Sequence, residues 1–336
     1  MTQQAPFPYF GGKSKIASEI WSRFGDVANY VEPFFGSGAV LLGRPTDPRL
    51  ETINDADGYI SNFWRSIKYS PAETEEYADW PVNENDLHAR HAWLVQRKDG
   101  LAARLEGDPD WHDPKIAGWW VWGMCSWIGS GFCPGKGPWR VVDGRLERSK
   151  TNTGSGINRQ LPHLGDAGQG IKRQRPHLGN AGQGIRRGRI DIYDWFQRLA
   201  DRLRDVRVCC GDWSRVCGPT PTFLRGLTGV FLDPPYADTA GRDPHLYTTD
   251  SLSVAHDVRK WAIENGDNPL MRIALCGYEG EHDMPETWDC LAWKAHGGYS
   301  GQGSGSNQNK HRERIWFSPH CLRCEDVTER TNLSLL

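Results

Sequence analysis

The chain has 336 residues, of which 38% are hydrophobic, and a formal net charge of −2. This length can bury a sizeable core, enough for one large α/β domain with a smaller inserted domain. Its nine cysteines lack the spacing of a disulfide framework, and no apolar run resembles a signal peptide or a membrane span. Cys321 and Cys324, next to His320, suggest half a zinc site, but no second ligand pair stands at a convincing spacing. The composition therefore argues against a secreted or membrane protein and favours a reducing cytoplasm.

Near the start of the chain, two glycines lie between an aromatic pair and a lysine, in the segment Pro8-Tyr9-Phe10-Gly11-Gly12-Lys13. A helical pattern follows from Ile16 to Phe24. Backbone amides and a lysine ammonium at this point would suit a carboxylate. A phosphate-binding loop is the competing interpretation. The segment lacks the earlier glycine that such a loop requires, so we set an NTPase aside.

A short strand, a glycine turn and the start of an apolar helix are predicted from Tyr30 to Leu42. Gly36 and Gly38 let the backbone approach a ligand closely, although a Gly-x-Gly pair alone is more typical of an ordinary turn. Asp55 stands seventeen positions after Gly38 at the end of a second predicted strand, where an acid can bind ribose hydroxyls. The alternative is that Asp55 caps the helix predicted from Ile60 to Ile67.

The composition changes in the middle of the chain. Six of the sixteen tryptophans fall between Trp111 and Trp139, and glycine and arginine dominate from there to Arg189. Ten Lys or Arg face only two acids between Arg145 and Arg189, a local balance of +8, whereas six acids cluster between Glu73 and Asp86. The basic stretch is a candidate phosphate-binding face; a solvated loop without a partner is the alternative.

Within the basic stretch, a fourteen-residue segment occurs twice, at 160–173 and 174–187. It is too short for a solenoid unit, so a duplicated loop is predicted. Its glycines let the backbone press against DNA, while its polar side chains can reach base edges or phosphates; a duplication without added function is the alternative. The residues of this region predicted to contact nucleic acid are Arg145, Arg148, Lys150, His163, Lys172, Arg173, Arg175, His177, Arg186, Arg187 and Arg189.

Two aromatic residues, Trp127 and Phe132, flank a predicted turn that contains Gly129 and Gly131. An aromatic side chain at the tip of a turn can fill the gap that a flipped base leaves in a duplex. Clustered tryptophans more often pack in a core. Trp127 and Phe132 are therefore candidate wedge residues, with core packing as the alternative.

The most informative segment is Asp233-Pro234-Pro235-Tyr236, which directly follows the apolar run from Gly229 to Leu232. The run predicts a buried parallel strand, and the two prolines end it in a rigid loop at the strand's carboxyl end, where ligands bind in open α/β sheets. The Asp233 carboxylate and the Pro234 carbonyl can accept the hydrogens of an exocyclic base amine, on which Tyr236 would stack. For the motif alone, a polar turn is the alternative.

Taken together, these segments resemble the Dam-like, or D12-class, adenine-N6 DNA methyltransferases, with five motifs in the family's order. In that family the Gly-Gly-Lys and Glu-Pro-Phe-x-Gly-x-Gly segments surround S-adenosylmethionine, and Asp-Pro-Pro-Tyr holds a flipped adenine. The resemblance implies catalytic roles for Asp233, Pro234, Pro235 and Tyr236. It implies cofactor contacts at Tyr9, Phe10, Gly11, Gly12, Lys13, Glu32, Pro33, Phe34, Gly36, Ser37, Gly38, Asp55, Asp212 and Trp213.

Other segments carry the resemblance further or depart from it. Arg272 to Tyr278 resembles the strand and loop after the catalytic motif, and Lys310 to Phe317 resembles the family's late strand. Trp122 to Phe132 loosely resembles the hairpin that enters DNA. Tyr9 stands where the family has tryptophan, which keeps a ring but changes the stacking area.

The resemblance implies an α/β fold with a Rossmann-like, S-adenosylmethionine-dependent methyltransferase sheet. We expect residues 1–70 and 190–336 to form the discontinuous catalytic domain and residues 71–189 an inserted target-recognition domain. The expected enzyme is cytoplasmic, needs no metal, does not bind membranes and methylates a flipped adenine at specific sites in double-stranded DNA, as in phage or bacterial restriction–modification.

Other functions stay open. A DNA-binding module that has lost catalysis is one alternative, and RNA or protein amines are other possible acceptors. Cytosine-N4 transfer is chemically similar, but family members with that activity usually have serine in place of Asp233.

Overall fold

The computed structural model describes residues 3–7, 9, 13–127, 132–133, 139–142, 145–148, 192–235, 254–293 and 313–323. Within these residues the α-helices are α1 (Ala17–Phe24), α2 (Ala39–Leu42), α3 (Gly58–Tyr69), α4 (Pro71–Ala78), α5 (Glu84–Val95), α6 (Leu101–Gly107), α7 (Pro114–Ser126), α8 (Ile192–Leu203) and α9 (Val254–Asn265). The strands are β1 (Asn29–Glu32), β2 (Leu50–Asp55), β3 (Trp139–Val142), β4 (Arg145–Arg148), β5 (Val206–Cys210), β6 (Thr228–Leu232), β7 (Met271–Tyr278), β8 (Asp289–Ala292) and β9 (Glu313–Phe317). Two short 3₁₀ helices span Trp213–Val216 and Phe223–Arg225.

Seven strands form one mostly parallel sheet in the order β5-β2-β1-β6-β7-β9-β8. The strands β5, β2, β1, β6 and β7 are parallel to their neighbours, and β9 is antiparallel to both β7 and β8. This confirms the predicted mixed α/β architecture, and it is consistent with a methyltransferase fold.

The central strands are buried on both faces, as expected for parallel strands covered by helices. Alternate residues enter two separate cores: Phe231 of β6 packs in a core with α1, α3 and α8, whereas Val230 and Leu232 pack in another with α9. Because every residue of β6 is buried, the apolar run before Asp233 can occupy only an interior strand.

The order of the strands reverses between β1 and β6. From β1 the chain builds outward through β2 to β5, and from β6 it builds in the other direction to β7. A crevice forms outside the carboxyl ends of parallel strands at such a reversal, and ligands bind there. The carboxyl ends of β1, β2, β5, β6 and β7 therefore define the edge of the sheet at which a functional site is expected.

The helices α4 to α7 continue the core of the sheet. Trp120 of α7 contacts Tyr59 and Phe63 of α3, and also Phe7 near the start of the chain. These side chains belong to the same apolar core as α1 and α8. Across the described ranges, the core is thus continuous over residue 71, where the sequence predicts the start of an inserted domain; that domain stays a prediction.

One sequence expectation is wrong in part of its range. Residues 122–126 of the segment compared with a DNA-entering hairpin lie in α7. Asp113 caps this helix by accepting the Ile116 amide, and Pro114 occupies its first turn, so the chain has strong local reasons to start a helix here. An antiparallel hairpin occurs instead at β3 and β4, which pair from Trp139 with Arg148 to Val142 with Arg145.

The other elements predicted from hydrophobic patterns are confirmed within a few residues of their expected ends. The described helices include none that is both long and apolar enough to cross a membrane.

Candidate active site at the carboxyl edge of the sheet

Three acidic side chains reach the same edge of the sheet from neighbouring strands. Glu32 is the last residue of β1, Asp55 is the last residue of β2, and Asp233 directly follows β6. Because these strands are parallel neighbours around the point of reversal, their carboxyl ends lie side by side. Pro234 is buried and Pro235 half-buried beside Asp233, so the predicted rigid loop begins at this edge.

Asp233 is held by a lysine that stands far from it in sequence. Lys13 Nζ lies 2.8 Å from Asp233 Oδ2, and the exposed fractions of the two side chains are only 3% and 19%. Cys276, in β7, lies near enough to be influenced by the charge of Asp233. The carboxylate is therefore fixed in position, with its charge compensated by an ammonium that is itself out of water.

The environment keeps Lys13 charged. Burial by itself lowers the pKa of Lys13, but the nearby Asp233, Cys276 and Glu313 outweigh it and raise the pKa above its ordinary value. Burial and the charge of Asp233 raise the pKa of the Cys276 thiol, which keeps that group protonated. The sequence suggested that Lys13 contacts a cofactor carboxylate; its ion pair with Asp233 was not anticipated.

The glycine turn after β1 is fixed by contacts with three other segments. The Gly36 amide donates to Asp55 Oδ2 at 2.9 Å, and Trp64 Nε1 donates to the Gly36 carbonyl at 2.9 Å. Gly36 has φ 49°, and a Cβ there would lie 2.7 Å from the ring of Tyr9. Gly38 also has a positive φ, 70°. The close approach that the glycines permit is thus, at Gly36, an approach to the ring of Tyr9.

Asp55 is a ligand-binding candidate and not a helix cap. Its Oδ1 accepts the Asp57 amide and its Oδ2 accepts the Gly36 amide, both at 2.9 Å. Asp57, not Asp55, caps α3 by accepting the Tyr59 amide at 2.8 Å. Each oxygen of Asp55 therefore keeps acceptor capacity for a further donor.

The pKa of Asp55 is raised from its ordinary 3.8 to about 7. Burial is the main cause and the charge of Asp57 adds to it, while the two backbone hydrogen bonds oppose the rise. A carboxyl group of this kind changes charge near neutral pH. Its ability to accept hydrogen bonds from hydroxyl groups is consequently sensitive to pH.

Two aromatic rings meet between the loops after β1 and β5. Phe34 and Trp213 stack with centroids 6.3 Å apart and an interplanar angle of 29°. Asp212, exposed beside them, caps a 3₁₀ helix by accepting the Ser214 amide at 2.9 Å. The amide nitrogen of Asn54 joins the same two loops, because it donates to the carbonyls of Pro33 and Gly211.

Glu32 and Ser37, two of the residues expected to contact the cofactor, are buried. Glu32 accepts a hydrogen bond from the Tyr30 hydroxyl at 2.7 Å. Burial raises the pKa of Glu32 well above its ordinary value, and the charge of Asp233 adds to this effect. The charge of Asp233 thus influences Glu32, but the side chain of Glu32 is hydrogen-bonded to Tyr30, in the interior of the same strand.

The two candidate wedge residues lie in the interior. Trp127 and Phe132 are 2% and 5% exposed, and both rings pack against His91 of α5. A wedge must be exposed to enter DNA, so this burial favours the alternative of core packing. Arg145, by contrast, is exposed in the β3–β4 hairpin, which also contains Arg148.

Several predicted site residues lie outside the described part of the chain. Among the proposed cofactor and catalytic residues these are Phe10, Gly11, Gly12 and Tyr236. Among the proposed nucleic-acid contacts they are Lys150, His163, Lys172, Arg173, Arg175, His177, Arg186, Arg187 and Arg189, together with the duplicated loop. Their roles stay predictions.

Comparison with known proteins gives one family. The sequence model of the D12 class N6 adenine-specific DNA methyltransferases matches residues 9–92. This confirms the resemblance for the segment that contains Tyr9, Lys13, the glycine turn and Asp55, and it supports DNA adenine methylation in general. The match ends before Asp212 and Asp233. No curated protein matches the chain.

Proposed function

We propose that this chain transfers a methyl group from S-adenosylmethionine to N6 of adenine in double-stranded DNA. The observation that carries the proposal is the convergence of Asp233 and Asp55 at the strand reversal of a parallel sheet, with Asp233 held by Lys13. The family match over residues 9–92 supports the same reaction independently of Asp233. Site specificity, base flipping and the role of the basic middle region belong to the proposal.

The residues beside the glycine turn fit the chemical parts of S-adenosylmethionine. Asp55 retains acceptor capacity for ribose hydroxyls, because among the described residues each of its oxygens receives one backbone amide. The paired rings of Phe34 and Trp213 supply a flat apolar surface for adenine. When bound, the cofactor supplies a methyl group already activated by its sulfonium charge, so the protein need not activate it further.

Asp233 acts on the accepting amine. An aromatic amine is a weak nucleophile because its lone pair is delocalised into the ring. Acceptors at the Asp233 carboxylate and the Pro234 carbonyl would hold both N6 hydrogens and so orient the lone pair towards the methyl group. Lys13 keeps the carboxylate in a fixed orientation, and the proton that N6 loses on methylation can pass to Asp233 or to water.

The direct test is transfer of labelled methyl from S-adenosylmethionine to unmethylated genomic DNA. Nucleoside mass spectrometry identifies the modified base, and single-molecule mapping locates it. We expect N6-methyladenine at one short sequence motif. N4-methylcytosine would overturn the choice of base. Cofactor binding without any methylated base would indicate another acceptor, and the absence of cofactor binding would favour a non-catalytic DNA-binding module.

A further inference from the structure

Trp293 lies at the same edge of the sheet, on the side opposite the glycine turn. It directly follows β8, and its amide donates to the carbonyl of Glu313, the first residue of β9, at 3.2 Å. Since β9 begins opposite Tyr278 at the carboxyl end of β7, this bond fixes Trp293 at the carboxyl edge. None of the sequence patterns singled out this residue.

The indole of Trp293 is next to the ion pair that holds the candidate catalytic carboxylate. Lys13 Nζ lies 5.8 Å from the centroid of the Trp293 ring, a distance at which an ammonium is attracted to an aromatic face. The same Nζ lies 2.8 Å from Asp233 Oδ2. Asp233, Lys13 and Trp293 therefore form one cluster, drawn from three distant parts of the chain.

The indole N–H of Trp293 is buried, yet it has no hydrogen-bond acceptor among the residues that the structure describes. Other tryptophans do find one: Trp21 donates to the Val40 carbonyl and Trp64 to the Gly36 carbonyl. Trp127 has a second buried indole N–H without an acceptor in the described ranges, but its ring stacks on His91 in the helical layer. Because buried donors are normally paired, the position of Trp293 beside Asp233 points to an acceptor that a ligand brings.

We propose that Trp293 recognises the target base, its indole N–H donating to a ring nitrogen that flanks the reacting amine. This inference rests on the proposed function. An adenine whose amine faces Asp233 has such an acceptor on either side of the amine-bearing carbon, N1 on one edge and N7 on the other. Asp233 then accepts a hydrogen bond from the amine of the base, and Trp293 donates one to the adjacent ring nitrogen. A base that lacks this combination leaves Asp233 or Trp293 without a partner and so binds more weakly.

The experiment uses the full-length protein and a duplex with the sequence motif found by mapping. Trp293→Phe keeps an aromatic ring but removes the N–H. We expect kcat/KM to fall about tenfold, as for one lost hydrogen bond to substrate, with cofactor affinity unchanged. Trp80→Phe is the matched control, because Trp80 is an exposed tryptophan whose indole donates to Asp86, and it should leave both quantities unchanged.

Duplexes with 1-deazaadenine or 7-deazaadenine at the target position provide the second measurement. One of these analogues should lower kcat/KM and duplex affinity of the unchanged protein about tenfold, while lowering neither further in Trp293→Phe. The inference would be overturned if each analogue lowered kcat/KM of Trp293→Phe by the same factor as it lowers that of the unchanged protein. It would also be overturned if Trp293→Phe were as active as the unchanged protein. Those outcomes differ from failure of the proposed function, in which the unchanged protein methylates no adenine.

Discussion

Lys13 and Asp233 depend on each other for their burial. An isolated charge out of water is costly, and a buried pair tolerates the loss of both charges better than the loss of one. In this chain Lys13 is almost completely buried and Asp233 mostly so, and Asp233 is the strongest of the charges that raise the pKa of Lys13. Asp233, which is proposed to hold the amine of the target base, therefore also stabilises the fold by pairing with Lys13.

Asp233→Ala should lower the rate of methyl transfer by about a thousandfold or more, while largely preserving cofactor binding. It should also destabilise the fold by about 3–5 kcal/mol, because Lys13 is left buried without its main partner. Methyl incorporation, cofactor titration calorimetry and urea denaturation measure the three effects.

The double variant Lys13→Met with Asp233→Ala separates the two roles. It should recover much of the lost stability and none of the activity, since it removes the charge that has lost its main partner but not the need for an acceptor. Near-normal transfer by Asp233→Ala would show that the proposed mechanism is wrong. Equal destabilisation in the single and double variants would show that the ion pair does not support the fold.

The raised pKa of Asp55 predicts a pH-dependent affinity for cofactor. Ribose hydroxyls bind an ionised carboxylate more strongly than a protonated one, so affinity should rise as the pH rises from 6 to 8, by up to about tenfold. The sign for stability is opposite: because the folded-state pKa lies above the ordinary value, the contribution of Asp55 to stability is full below its ordinary pKa and is lost as the pH rises through about 7.

Two variants check the origin of this dependence by cofactor titration at several pH values. Asp55→Asn should remove it. Asp57→Asn keeps a residue that can cap α3 but removes the charge that adds to the rise, so the midpoint should move to lower pH. If the midpoint pH for cofactor affinity is unchanged in Asp57→Asn, the charge of Asp57 does not contribute to the raised pKa of Asp55.

Among the elements, the glycine turn after β1 is the one whose conformation the site most requires. It is fixed by the Asp55 carboxylate, the Trp64 indole and the Tyr9 ring, which come from β2, α3 and the segment before α1. Sequence reasoning found this turn, because glycine and the flanking apolar pattern are local signals. Its lining by aromatic side chains of the same chain needed the packing of distant elements.

Gly36→Ala should disrupt the turn and weaken cofactor binding by about tenfold or more. An alanine at this position would have to adopt a left-handed backbone conformation, and its Cβ would lie 2.7 Å from the Tyr9 ring. Gly100→Ala is the matched control, since Gly100 also has a positive φ, 82°, but no described residue lies within 4 Å of its Cβ position. The control should lose about 1 kcal/mol of stability with normal cofactor affinity. Equal cofactor affinities in the two variants would refute the role of the turn.

For the whole molecule, the main question is whether the helices after residue 70 form an independent domain. Trp120 of α7 packs on Phe7, Tyr59 and Phe63, so the helical layer and the sheet share side chains in one core. Structural elements that share one hydrophobic core unfold in one cooperative transition. We therefore expect α4 to α7 to unfold in the same transition as the sheet.

Trp120→Ala should lower the stability of that single transition by about 3–5 kcal/mol. Leu224→Ala, at an exposed side chain, is the control and should change stability by less than about 0.5 kcal/mol. Circular dichroism and tryptophan fluorescence should report coincident unfolding curves in all variants. An earlier transition, in which part of the circular dichroism and part of the tryptophan fluorescence change before the rest, would instead support a separately folding inserted domain.

The amino-acid sequence alone determined the features that local patterns carry. The apolar run before Asp233 predicted β6 as a buried parallel strand, and local patterns and spacing predicted the glycine turn and the position of Asp55 at the end of a strand. These signals are readable because strand burial, turn geometry and capping depend on residues a few positions apart. The hairpin expected near Trp122 failed for the same reason: Asp113 and Pro114 start a helix upstream of it.

Only the tertiary structure decided which distant side chains meet. Lys13 and Asp233 are 220 positions apart, and no periodicity links them. Phe34 meets Trp213, and Trp293 meets Lys13, for the same reason: the parallel order of the strands brings their carboxyl ends to one edge. A contact of this kind is set by sheet order and side-chain packing, which a linear pattern does not encode.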